Sequence, residues 1–256
     1  MEKSTPAALA ALLQKSRRAA ALTGAGISVE SGIPAFRGAQ GLWSRYDPVE
    51  YAHIRAFMAH PAKVWTMLKE LDATIRAARP NPAHTALAEL ERLGKLAGII
   101  TQNVDNLHQE AGSANVIEYH GNAHHFVCHV CRGHWPREAL DFDQTPLYCY
   151  CGGLIRPDVV FFGEAIPEDA LRQAHALAAG CDLMLVIGTS AAVYPAAGLP
   201  YTAKDAGAAI VEINLEPTDL TDKLTDYFLS GSASNLLSAT VAALHRLGAK
   251  GETSVQ

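Results

Sequence analysis

The sequence predicts an α/β protein: a parallel sheet covered by helices on both faces, with a small cysteine-rich module inserted into it. Three observations predict this. Short apolar runs at 19–22, 96–101, 116–119, 183–187 and 209–213 alternate with stretches of helical periodicity, and strands that are apolar throughout belong to parallel sheets buried on both sides. A glycine-bearing stretch, Gly24-Ala-Gly-Ile-Ser28, follows the first run directly. From about 122 to 155 histidine, cysteine, proline and aromatic residues replace the alanine-leucine pattern.

Length and composition set the bounds. The chain has 256 residues, enough for one large domain with a modest insert. Net charge is −5, which argues against nucleic acid or an anionic membrane as the main partner. No run of 18 apolar residues is present, so no transmembrane helix is expected, and the N-terminal stretch lacks the apolar core of a secretory signal. Four of the five cysteines are clustered, which points to a metal site and a reducing, cytoplasmic location.

Taken in order, residues 5–18 read as an amphipathic helix with Leu9, Leu12 and Leu13 on one face and Lys15, Arg17 and Arg18 at its end. The first strand leads into Gly24 and Gly26, which permit a tight turn and close approach of a ligand. Ser28 is the expected N-cap of a helix whose free N–H groups face an anion. The spacing departs from a dinucleotide fingerprint, because Val29 stands where a third glycine belongs. Residues 39–80 show no strand pattern and read as a loop with short helices, rich in aromatics, that forms a lid or substrate wall. Asn81 to Gly94 is a well-signed helix: Asn81 caps it, Pro82 opens it, and Gly94 takes the left-handed position at its end. His84 is read as structural. The strand 96–101 runs into Gln102-Asn-Val-Asp105, and the strand 116–119 into His120-Gly121. Ligands in open α/β sheets bind beyond the carboxyl ends of strands, so these polar clusters are placed for chemistry. Helices are expected over 168–179, 196–206 and 234–247, and a frayed tail over 249–256.

The chemistry lies in two groups. Cys128-x-x-Cys131 and Cys149-x-Cys151 are separated by seventeen residues, the spacing of a four-cysteine zinc ribbon whose closed shell marks the metal as structural. The one-residue gap in the second pair demands local bending, which Gly152 and Gly153 can supply. A mixed set drawing on His124, His125, His129 or His134 is the alternative. Cys181 stands apart as a buried thiol. Asn103 and Asp105 together match the donors and acceptors of a carboxamide, and His120 titrates near neutrality, so it can take a proton from a hydroxyl.

Gly24-Ala-Gly-Ile-Ser28, Gly32-Ile-Pro-Ala-Phe-Arg-Gly38, Thr101-Gln-Asn-Val-Asp105, His120-Gly121, the cysteine pairs, Arg156-Pro-Asp-Val-Val-Phe-Phe-Gly-Glu164, Gly188-Thr-Ser190 and Asn214-Leu-Glu216 occur in the order used by sirtuins. From about 19 to 240 the chain resembles a bacterial sirtuin, an NAD-dependent protein-lysine deacylase. The resemblance implies a Rossmann-like core over about 5–38, 81–121 and 156–248, a helical cofactor-loop insert over 39–80 and a zinc-ribbon insert over 122–155. Residues 1–248 then form one catalytic domain. It implies that Gly24, Ala25, Gly26 and Ser28 hold the NAD phosphates, and that Phe36 and Arg37 lie near the nicotinamide ribose. Gln102, Asn103 and Asp105 would line the ribose and nicotinamide pocket. Gly188, Thr189 and Ser190 would meet phosphate and ribose, and Asn214, Glu216 and Ala233 the adenosine end. Val160, Phe161, Phe162, Gly163 and Glu164 would pair with the substrate backbone as an added strand. The implied reaction releases nicotinamide as the acyl-lysine oxygen attacks the ribose. His120 then activates the 2′-hydroxyl, and O-acyl-ADP-ribose is the product. Relatives that prefer succinyl- or malonyl-lysine carry a Tyr-x-x-Arg pair where this chain has Leu68 and Leu71, so neutral acyl groups are expected. Ala35 stands where many relatives carry an acid. Acylated-lysine proteins are the implied partners, with nucleic acid and membrane excluded and a monomer expected. An ADP-ribosyltransferase using the same cleft is the alternative activity.

Overall fold

The computed structural model of the chain describes residues 2–37 and 41–252, the side chains of 2, 3 and 249–252 excepted. Gly38, at the end of the Gly32–Gly38 motif, and residues 253–256 of the expected tail lie outside the described residues.

In chain order the first half comprises β1 (Glu2–Lys3), α1 (Pro6–Lys15), β2 (Ala19–Thr23), α2 (Pro48–Tyr51), α3 (Ile54–Ala59), α4 (Pro61–Ala77), α5 (Pro82–Arg92), β3 (Ile99–Thr101), α6 (Leu107–Glu110), β4 (Val116–Glu118), β5 (Gly121–Cys128) and β6 (His134–Trp135). The second comprises β7 (Ile155–Val159), α7 (Glu168–Ala179), β8 (Leu183–Ile187), α8 (Leu199–Asp205), β9 (Ala209–Asn214), α9 (Asp219–Lys223), β10 (Tyr227–Ser230) and α10 (Ala233–Glu252).

Seven strands form one sheet in the order β1-β10-β9-β8-β2-β3-β4, and every neighbouring pair is parallel. Alternate residues along each strand feed two separate cores. Ala19, Ala21, Leu183, Leu185 and Val211 pack under α1, α5 and α10. Ala20, Leu22, Met184, Val186 and Ile210 pack under α7 and α8. This is the period-two alternation of a strand with both faces covered. Sheet order reverses between β2 and β8: the chain proceeds to β3 and β4 on one side and to β9 and β10 on the other. The loops leaving these two strands therefore diverge at their carboxyl ends and open a crevice.

The second sheet is antiparallel, in the order β6-β5-β7. It shares a third core with the helical segment α2–α4: Trp65, Leu68 and Phe57 pack with Phe126, Leu147 and Ile155. The two inserted segments thus bury their apolar faces against each other.

Several expected elements differ in their limits. The first helix stops at Lys15 rather than 18, because Asp182 accepts the backbone N–H groups of Arg17 and Arg18 and pulls the chain into β2. Arg17 and Arg18 are consequently not at the helix end. The helix expected from Ser28 is a 3₁₀ helix over Ala25–Ser31, capped at Gly24 with no side-chain bond. Residues 196–206 divide into a 3₁₀ turn and α8, with Pro200 in the first turn of the latter. The last helix runs from Ala233 to Glu252, longer than the expected 234–247. Asn81 and Gly94 behave as read: the Asn81 side chain accepts from Ala83 N–H, and Gly94 has φ of 66°.

Candidate functional site

A cleft of about 750 Å³ lies at the carboxyl ends of β2, β3, β8 and β9, where the sheet order reverses, and the segment leaving β7 forms its opposite wall. Gly24, Ala25 and Gly26 line it together with Gly188, Thr189 and Ser190. Gly26 N–H donates to the Gly188 carbonyl at 2.8 Å, and a Cβ on Gly26 would lie 2.7 Å from Gly188 Cα. The glycines are therefore required by the packing of one loop on the other, a constraint that ligand approach alone does not express. Arg37 reaches across to donate to Ser190 Oγ at 3.1 Å, and Phe36 stacks on Trp43 with ring centroids 5.2 Å apart. Asn214, Glu216 and Ala233 line the far end. Asn214 is held there by a bond from its Nδ2 to the Thr189 carbonyl at 3.0 Å.

Asn103 is buried at the floor. Its Nδ2 donates to the Gly24 carbonyl at 3.2 Å and to Ser28 Oγ at 3.1 Å, while its Oδ1 is buried without a partner. A buried acceptor left open is costly unless something meets it, so this oxygen suits an amide N–H of a bound molecule. Ser28 and Asp105 were expected in the pocket, but neither lines the cleft. They lie behind Asn103, where Ser28 Oγ donates to Asp105 Oδ2 at 2.6 Å and Asp105 Oδ1 accepts from Leu107 N–H at 3.0 Å.

The same layer holds a residue that sequence reading set aside as structural. His84 Nδ1 accepts from Asn81 N–H at 3.3 Å, so its hydrogen is on Nε2, which faces Ser28 Oγ at 3.4 Å. Burial lowers its pKa from 6.5 to about 4, against the attraction of Asp105. His108 packs on His84 with ring centroids 4.9 Å apart, and its Nε2 faces Thr23 Oγ1 at 2.9 Å. Burial, and secondarily His84, push it down to about 3. The histidine three residues into a capped helix was the only local signal for His84; for His108 none was read.

His120 lines the cleft beside Gln102 and Asn103. Its Nδ1 lies 3.0 Å from the Gln102 carbonyl. A carbonyl can only accept, so Nδ1 carries the hydrogen and Nε2 holds the free lone pair. Burial lowers the His120 pKa from 6.5, and the Gln102 bond partly opposes the shift. The ring is thus neutral at pH 7 and able to accept a proton.

Val160, Phe161, Phe162, Gly163 and Glu164 also line the cleft. The Glu164 carboxylate is engaged within its own segment: both oxygens accept from Arg156, at 2.9 and 3.0 Å, and Oε2 accepts from Phe161 N–H at 3.0 Å. Leu68 and Leu71 lie on the apolar side with Met67, Val104 and Val159. Arg37 is the only cation in the lining among the described residues.

Away from the cleft, the Sγ atoms of Cys128, Cys131, Cys149 and Cys151 all lie within 4.8 Å of one another. Cys128 and Cys151 are 3.5 Å apart, and Cys131 and Cys149 3.7 Å. A tetrahedral zinc with bonds of about 2.3 Å sets sulfurs roughly 3.8 Å apart, so four thiolates fit this metal. None of His124, His125, His129 and His134 joins the group. Gly152 supplies the expected bend at φ of 83°, and Gly153 leaves room for sulfur, since a Cβ there would meet Cys128 Sγ at 2.7 Å.

A doubly covered parallel sheet, a crevice at its reversal point and a four-thiolate module define an α/β protein with a small zinc-ribbon insert. The Sir2 family model matches residues 24–195. The NAD-dependent protein deacylase of Pyrococcus furiosus is 48% identical over 242 residues, covering 92% of this chain and 96% of that protein. NAD-dependent protein deacetylase 1 of Pyrobaculum aerophilum is 49% identical over 232 residues, 90% and 91% of the two chains. A Sir2 homologue solved as an NAD complex superposes with a TM-score of 0.87 at 45% identity, covering 93% of each chain. A Sir2 protein solved with a deacetylated p53 peptide and 3′-O-acetyl ADP ribose gives 0.89 at 38% identity, covering 93% and 98%. The chain belongs to the Sir2 family. Both curated relatives are archaeal, so the comparison lends no support to a specifically bacterial affinity.

Proposed function

We propose that this protein is an NAD-dependent protein-lysine deacylase that removes acetyl and other neutral acyl groups. The observation that carries the reading is His120, whose Nδ1 hydrogen is fixed by the Gln102 carbonyl so that Nε2 is a free base in the cleft. The orphaned Asn103 Oδ1 beside it fits the carboxamide of a nicotinamide group. When bound, NAD would supply a ribose that gives up nicotinamide and takes the acyl group, with one water consumed, so that nicotinamide, O-acyl-ADP-ribose and free lysine are the products. His120 Nε2 takes the proton from a ribose hydroxyl. Ser28 and Asp105 act from behind, fixing Asn103 through its Nδ2 and leaving its Oδ1 without a partner. Gly24, Ala25, Gly26, Gly188, Thr189 and Ser190 seat the phosphates, and Arg37 closes over them through Ser190. Asn214, Glu216 and Ala233 hold the adenosine end. Phe36 with Trp43, an apolar pair, excludes water from the ribose.

Zinc on the four cysteines holds the β5–β7 module together and takes no part in catalysis, since a four-thiolate shell leaves no open position. Residues 1–248 serve as one catalytic unit. The protein acts as a cytoplasmic monomer on acylated-lysine proteins and does not bind nucleic acid or membrane. Among the described residues no helix is long and apolar enough to cross a membrane.

Mixing the protein with NAD and an acetyl-lysine peptide, and resolving products by mass, tests the activity. Peptide-dependent nicotinamide release with loss of acetyl from the peptide supports it. NAD loss with a mass gain on protein would mark an ADP-ribosyltransferase, and reduction of NAD a dehydrogenase.

A further inference from the structure

The segment that leaves β7 is held by a network of bonds centred on Arg156, whose two Nη atoms are bonded and whose Nε is buried without a partner. Arg156 lies on β7 with its side chain 6% exposed, paired with Glu164 at 19%. Its Nη1 donates to the Val159 carbonyl at 2.7 Å and to Glu164 Oε2, and its Nη2 donates to Glu164 Oε1. Glu164 Oε2 also accepts from Phe161 N–H. The guanidinium carbon sits 5.2 Å from the Phe161 ring centroid. Residues 156–164 are thereby folded back on themselves around one ion pair. Two further bonds register the loop against its surroundings: Val160 N–H donates to the His120 carbonyl at 2.9 Å, and Phe162 N–H to the Ala52 carbonyl at 2.9 Å. The Val160 carbonyl and Gly163 N–H have no bond among the described residues, and both residues line the cleft. An internal staple that consumes the carboxylate and the Phe161 amide, yet leaves the Val160 carbonyl and the Gly163 N–H open in residues that line the cleft, is the layout of an edge prepared for another backbone.

We propose that Arg156 and Glu164 are positioning residues that preform this edge for the backbone flanking the acylated lysine, a role that rests on the deacylase reading above. A preformed edge lowers the ordering cost of peptide binding. The staple therefore governs affinity for residues around the lysine, and leaves the proton transfer at His120 and the phosphate seat, on the far side of the cleft, to other groups.

The test compares two substrates: an acetyl-lysine peptide with several residues on each side, and a single acetyl-lysine blocked at both ends, which keeps only its own two amides and has no flanking residues to pair. Arg156→Lys keeps the charge and loses the two-pronged bond. Arg156→Gln, which keeps a donor toward the Val159 carbonyl and leaves Glu164 unchanged, serves where the lysine variant folds poorly. The expected result is a peptide KM raised at least about tenfold, the effect of roughly 1.4 kcal/mol of lost affinity. Peptide kcat, KM for NAD and turnover of the blocked acetyl-lysine stay near wild type. Loss of both substrates by the same factor, or an unchanged peptide KM, overturns the proposal. Wild-type protein that turns over neither substrate would instead sink the deacylase reading on which it stands.

Discussion

At the scale of single residues, His120 concentrates the chemistry. Its tautomer follows from one hydrogen bond, and its lowered pKa follows from burial. A positioned general base is worth roughly 10²–10⁴-fold in rate, so His120→Ala should lose at least about a hundredfold in turnover while NAD still binds. Retention of more than about a tenth of wild-type activity, well under that range, would remove His120 from the role. The pH dependence has a definite sign. A base works when unprotonated, and the folded pKa lies below 6.5. Activity limited by this group should level off on the alkaline side and fall as pH drops through a folded pKa below 6.5. A kcat/KM profile whose acid limb lies above 6.5 would contradict it. The sequence made His120, Asn103 and Asp105 legible as polar residues after apolar strands. It could not reveal that Asp105 stands behind Asn103, because that depends on Ser28, 77 positions away.

At the scale of elements, α4 and the cysteine module are the informative cases. Leu68 and Leu71 fall on one face of α4 and both line the cleft, in which Arg37 is the only cation among the described residues. A carboxylate carried into that apolar side would lose its hydration without gaining a partner, at a cost of several kcal/mol. Acetyl-lysine peptide should therefore be turned over at least about 100-fold better than its succinyl counterpart, because each 1.4 kcal/mol is about tenfold. Comparable kcat/KM for the two would mean that a cation such as Lys69 or Arg76 reaches the acyl group. In the cysteine module metal binding supplies folding energy, so Cys151→Ser should lose zinc and unfold β5–β7. Full zinc occupancy in that variant would bring a histidine into the ligand set. Spacing made these thiolates legible, since two close pairs must converge if they share a metal. The strand β10 was not legible. Tyr227–Ser230 is four residues long and follows a short helix, and its place between β1 and β9 is fixed by long-range pairing.

At the scale of the whole molecule, the fold was readable because its two helical layers impose one rule on the central strands β2, β3 and β8: burial on both faces, and with it apolar residues. The floor of the cleft breaks that rule. Thr23, Ser28, His84, Thr101, Asn103, Asp105 and His108 are all buried polar groups gathered beneath the carboxyl ends of β2 and β3. Such a cluster is satisfied only by partners distant in sequence, which is why periodicity could not assemble it. Its histidines also make stability depend on pH. His84 and His108 titrate at about 4 and about 3 when folded, below the ordinary 6.5. The unfolded chain therefore binds protons that the folded one refuses. The sign follows: their contribution is complete above pH 6.5 and is lost as pH falls toward about 4 for His84 and about 3 for His108. Each histidine lowers unfolding free energy by at most about 1.4 kcal/mol per pH unit within that window. Between pH 6 and 5, above most carboxylate titration, the pair should produce a slope of about 2.4 kcal/mol per unit by this arithmetic. Urea unfolding at pH 7.5, 6 and 5 measures it. His108→Gln removes one titrating group, and its slope in that interval should be shallower than wild type by about half of this contribution. Equal slopes in the two proteins would mean that His108 is protonated in the folded state and that the buried layer holds a charge.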